Sequence, residues 1–164
     1  MTNQPRTKAQ VIAPAAYPQM MNPRDAQRAM QTLRSAQTMV KAQVAVDAAV
    51  PPMRVAILEY VDTLEAAGKD MPRVFDIVHE IRGFAETAGL VTTGRIADIL
   101  CRYMDDMQRL ARPVDGHIVA LHVAAIVRAA RAEDDDVRVG EIVAGELAAL
   151  VARRLCEAQA SLNP

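Results

Sequence analysis

From Asn22 onward the apolar residues recur at spacings of three and four, the period of an amphipathic helix, and no stretch alternates as a half-buried strand would. Asn22-Pro23 has the form of a helix start, an N-cap followed by proline at the first helical position. The stripe behind it runs Ala26, Met30, Leu33, Val40 and Val44, and the pattern predicts a stop before Pro51-Pro52, since a residue preceding proline is pushed out of the helical region. A second helix follows the prolines with Ile57, Val61 and Leu64 on one face and Gly68 as its stop. Asp70 caps a third, from about Met71 to Ala88, ending at Gly89. Thr92 or Thr93 caps a fourth, whose inward positions are Ile96, Ile99, Leu100, Tyr103, Met107 and Leu110, with Pro113 beyond it. Asp115 caps a fifth, to about Ala132, and an acidic turn, Glu133 to Asp136, leads into a sixth with Val139, Val143, Leu147, Leu150 and Val151 inward.

The expected fold class is therefore all-α. Short connections between the second and fifth helices force antiparallel neighbours, which predicts an up-down four-helix bundle with additional N-terminal and C-terminal helices. The first helix in the bundle with the fifth peripheral is an alternative that the pattern leaves open. Residues 1–21, with Pro5, Pro14 and Pro18 and no sustained period, read as a flexible tail, and 22–160 as a single helical domain.

Composition agrees with helix-on-helix packing. The chain is 51% hydrophobic but only 3% aromatic, without Trp, so Ala, Val, Leu, Ile and Met must fill the core. A formal net charge of -1 supplies no global field toward nucleic acid. Cys101 and Cys156 form neither a disulfide framework nor a zinc cluster. The N-terminus lacks the layout of a signal peptide, and no apolar run reaches about 20 residues. A cytoplasmic protein without membrane insertion is expected.

The third helix carries the chemistry. Advancing about 100° per residue collects Val74, Ile77, Val78, Ile81, Phe84, Ala85 and Ala88 on one face. His79 then lies roughly 160° from the centre of that stripe and points to solvent. Arg82 and Gly83 stand three and four positions beyond it, on the same surface, with Phe75, Asp76 and Glu86 flanking the patch. An interior helical glycine costs about 1 kcal/mol relative to alanine, and its use here suggests bare backbone where another group comes close. Arg82 can supply charge and donors to phosphoryl oxygens.

His79-x-x-Arg82-Gly83, with Gly89 ten residues after the histidine, resembles the histidine phosphotransfer (HPt) signature: H-x-x-K-G, then small residues, a later glycine and an amphipathic helix. The likeness covers about residues 52–132. Arg82 stands where the family has lysine, and Phe84 where a small residue is usual. The resemblance implies a phosphorelay carrier that accepts a phosphoryl group on His79, stabilised by Arg82, and exchanges it with receiver-domain aspartates of response regulators. A sensor histidine kinase is a further implied partner, and Phe75, Asp76, Arg82 and Glu86 the implied docking residues. The Mg²⁺ of the reaction would belong to the receiver, with no cofactor or metal in this chain. No autonomous enzymatic turnover is expected, because the chain has no nucleotide-binding loop.

Two rivals share the scaffold: a non-phosphorylated helical adaptor that binds a kinase or receiver, and a dimeric helical-hairpin phosphotransferase. Monomer or weak dimer is left open. His117 and His122, five positions apart, project about 140° from one another and cannot readily share a metal. His122 falls within the apolar arc of its helix and is expected in the core, and the Glu133–Asp136 run lacks the glycine and terminal glutamate of a calcium loop.

Overall fold

A computed structural model describes residues 22–132 and 137–161; the expected tail and the Glu133–Asp136 turn lie outside them. The described residues form six α-helices and no strand. By contacts the chain divides into two compact units, Met1–Gln43 and Val44–Pro164. Among the described residues, no helix is long and apolar enough to cross a membrane.

The first unit holds α1 (Pro23–Leu33) and the start of α2 (Ala36–Ala67). Asn22 caps α1 as expected, its side-chain carbonyl accepting the Arg24 N–H at 3.0 Å ahead of Pro23. The uninterrupted first helix predicted from 22 to about 50 is corrected here. α1 stops at Leu33, and Ser35 begins a new helix by accepting the Thr38 N–H at 3.3 Å, while the Thr38 hydroxyl donates to the Thr32 carbonyl at 2.8 Å. Short hydroxyl side chains offer the backbone such local partners. Packing does not override them, because Met30, Leu33 and Val40 are all exposed.

In the second unit α2 runs on through Pro51 and Pro52, which corrects the predicted stop. Proline removes a donor but its fixed φ is itself helical. Downstream, Ile57, Val61, Leu64 and Ala67 bury one face of α2 and anchor it. Gly68, at φ +58°, ends α2 in a conformation that glycine takes without strain. The Asp70 carboxylate then accepts the Arg73 N–H at 3.2 Å and starts α3 (Met71–Ala85).

α3 ends about a turn before the predicted Ala88. Leu90 N–H donates to the Ala85 carbonyl at 2.8 Å across Gly89, which has φ +74°. α4 (Val91–Arg109) starts with Leu90 at its N-cap and without a side-chain cap, so the capping role expected of Thr92 or Thr93 is corrected. Both threonines are buried inside the first turn instead. Thr92 packs on the backbone of Gly140 in α6 (Val137–Ala160), where an added Cβ would lie only 2.6 Å from its Cγ2.

α4 packs against three other helices, α3, α6 and α5 (Gly116–Ala130). Ile96, Ala97, Leu100, Cys101, Tyr103, Met104 and Met107 are its buried residues in the common core. Gly94 brings α3 close, since a Cβ there would sit 3.3 Å from that of Ala85. Asp115 caps α5 as predicted, accepting the His117 N–H at 2.9 Å, and its own N–H donates to the Tyr103 hydroxyl at 3.0 Å.

The buried face of α6 is Gly140, Ala144, Leu147, Val151 and Ala158. Val139 and Val143, predicted inward, are turned outward. The intimate contact at Gly140 sets the rotation of the helix, and small side chains occupy the near positions.

Candidate functional site

Val74, Ile77, Val78, Ile81 and Ala85 turn one face of α3 into the core, and the opposite face presents His79 to solvent, as the helical phase requires. The imidazole lies over the Phe75 ring one turn earlier, with centroids 6.1 Å apart and planes 26° from parallel. Phe75 is half-buried against the core and so fixes one side of the histidine. Together with Tyr60, Asp76, Ile77 and Glu80 the two rings line a shallow depression of about 360 Å³.

Tyr60 is a member that sequence reasoning missed. It comes from α2, beside the buried Val61, and only the packing of α2 near α3 brings it to the histidine. Its position at the edge of the α2 stripe was the available signal.

Gly83 is exposed on the same helix, and a Cβ built on it would meet nothing within 4 Å. No packing among the described residues therefore demands a glycine in this last turn of α3, and the cost of placing one there is unrelated to the core.

Arg82 takes a different direction. Its Nε lies 3.5 Å from Asp98 Oδ1 on α4, and the other oxygen of that carboxylate receives Arg102 at 2.9 Å. Arg82, Glu86, Gly94, Arg95 and Asp98 line a second depression of about 390 Å³, in which Arg95 is also paired with Glu141. Of the predicted site residues, His79, Phe75 and Asp76 thus share one depression, Arg82 and Glu86 the next, and Gly83 lies on the exposed surface of the same helix.

Phe84 departs from its expected core-side position, being 44% exposed. It falls at the margin of the apolar arc, just where α3 finishes, and Ala85 and Ala88 fill the space beneath that end.

Cys101 is buried beneath the Arg82 side of the site. Burial pushes its thiol up to about 11, with the Arg82 guanidinium holding it lower than burial alone would, so the nucleophilic thiolate is disfavoured.

His122 is fully buried, as its phase predicts, with Nδ1 2.8 Å from the Ile118 carbonyl and Nε2 without a hydrogen-bond partner among the described residues. His117 is exposed at the start of α5. Among the described residues, no group of three or more His, Cys, Asp or Glu side chains is arranged to hold a metal ion. No protein-family model, curated protein or solved structure matches the chain.

Proposed function

We propose that this protein is a phosphohistidine carrier of the HPt type, with His79 as acceptor and α2 to α5 as its four-helix core. The observation that carries the reading is the imidazole itself: exposed at mid-helix, steadied by Phe75, and four residues before a glycine whose missing side chain leaves open space.

A neutral imidazole is nucleophilic without a dedicated base. Its unprotonated nitrogen would attack phosphorus as the P–O bond to a receiver's aspartate breaks. The aspartate leaves as a carboxylate, and the proton on the other ring nitrogen exchanges with solvent. Phosphoryl transfer depends chiefly on positioning and charge stabilisation, so an exposed nucleophile on a rigid helix is a sufficient contribution from the carrier. The bare backbone at Gly83 gives the receiver's active-site rim room to approach, and Tyr60 and Phe75 offer it apolar area. Receivers of response regulators are the expected partners, supplying Mg²⁺ and the acidic pocket, and a sensor kinase is an upstream donor.

Incubation with phosphorylated receivers tests the reading. The expected result is acid-labile, alkali-stable label on the chain, abolished by His79→Gln with the unfolding curve unchanged. Label retained in that variant would refute the assignment, and binding without label would make the protein an adaptor.

A further inference from the structure

Arg82 already faces one anion before any phosphoryl group arrives. In this structure its guanidinium belongs to Asp98, at 3.5 Å, and the same carboxylate is bridged on its other oxygen by Arg102, at 2.9 Å. The Arg82 and Asp98 side chains are 40% and 32% exposed, so the pair is weak enough to open, as solvent-facing ion pairs generally are. Arg82 also sits one turn from His79 on α3, where neighbouring side chains can meet.

We infer that Asp98 is a positioning residue for phosphoryl transfer: it holds Arg82 aside while His79 is unmodified and yields it to the phosphoryl group once one arrives. This rests on the reading of His79 as phosphoryl acceptor. A phosphoryl group carries more negative charge than one carboxylate and presents three acceptor oxygens, so it outcompetes Asp98 for the guanidinium. Arg102 makes the exchange inexpensive, because it stays on the carboxylate that Arg82 leaves. The strength of the Arg82–Asp98 pair then sets how far the transfer equilibrium lies toward phosphohistidine. No additional covalent step is involved; the carboxylate only changes the cation's availability.

The two partners of Asp98 give variants of opposite sign. Asp98→Asn releases Arg82 and should raise the equilibrium ratio of phosphohistidine to phosphorylated receiver by about two- to fivefold, the range that an exposed ion pair can contribute. Arg102→Gln leaves Arg82 as the carboxylate's sole partner in the cluster and should lower the ratio by a similar factor.

The experiment equilibrates the full chain with a phosphorylated receiver and Mg²⁺ and measures label on each protein, for both variants and for both again in an Arg82→Gln background. The expected result is opposite shifts in the first pair and no shift in the second. Equal shifts in the Arg82→Gln background would overturn the inference, since Asp98 would then act by charge or packing and not through Arg82. So would unchanged ratios in both single variants while wild type labels normally. If wild type itself takes no label from any receiver, the reading of His79 has failed and the role of Asp98 falls with it. Circular dichroism of each variant establishes that it folds, and the isosteric Asp98→Asn change and the exposed Arg102 are both mild substitutions.

Discussion

Gly83 puts stability and function in opposition at one residue. A Cβ there meets nothing within 4 Å, so alanine should fit without displacement and restore the backbone entropy and helix propensity that glycine gives up. Gly83→Ala is therefore expected to stabilise the fold by about 0.5–1 kcal/mol in urea unfolding. Gly83→Leu should also leave helicity intact, yet slow transfer from a phosphorylated receiver by roughly ten- to hundredfold, the scale of a small misplacement of reacting groups. A leucine variant that transfers as fast as wild type would remove the clearance role from Gly83. The phase of His79 was legible in the sequence because it follows from the helical repeat alone, with the apolar stripe from Val74 to Ala85 turning the ring outward. The partner of Arg82 was not legible. Asp98 lies on another helix, and no spacing along the chain announces a salt bridge between helices.

Helix ends divide according to what decides them. Asn22, Asp70 and Asp115 cap their helices through their own side chains, and Gly68 stops α2 through a positive φ, so local chemistry sufficed to place these four. Thr92 has the same capping chemistry and is diverted by tertiary packing against Gly140. The break at Ser35 follows the local hydroxyl bonds of Ser35 and Thr38, and α2 passes through Pro51-Pro52, both exposed, into the segment where Met53 packs against the core. The Gly140 contact makes a sharp prediction about α6. A Cβ at that position would stand 2.6 Å from Thr92 Cγ2 and 2.9 Å from its Cβ, too close for a rotamer change to relieve. Gly140→Ala should cost about 1–3 kcal/mol by overpacking, read as a lowered unfolding midpoint. Thr92→Ala in the same chain should recover part of that loss, because it removes the nearer atoms. Additive losses in the double variant would show that α6 is not seated through this contact.

At the scale of the whole molecule, the core that α4 organises carries a titratable group without a compensating partner, and global stability should record it. His122 is fully buried, its Nδ1 faces the Ile118 carbonyl, and its Nε2 has no hydrogen-bond partner among the described residues, an arrangement that suits a neutral ring. Burial lowers its pKa from the ordinary 6.5, the bond to Ile118 offsetting part of the effect. Well above pH 6.5 the ring is neutral in folded and unfolded chains alike, and it contributes no pH dependence. Below that value the unfolded chain takes up a proton that the fold refuses, so stability must fall as pH drops, until the lowered folded pKa is reached. One such proton corresponds to a slope of up to about 1.4 kcal/mol per pH unit. Replacing the ring by leucine removes both the titration and the orphaned nitrogen, while the Ile118 carbonyl keeps the backbone bond of its own helix. Urea unfolding of wild type and His122→Leu between pH 7.5 and about 5 should then diverge, with the variant losing less stability as acid is added. Parallel curves would mean that the folded ring accepts the proton as readily as the unfolded one, and that this part of the core admits water or a counter-charge.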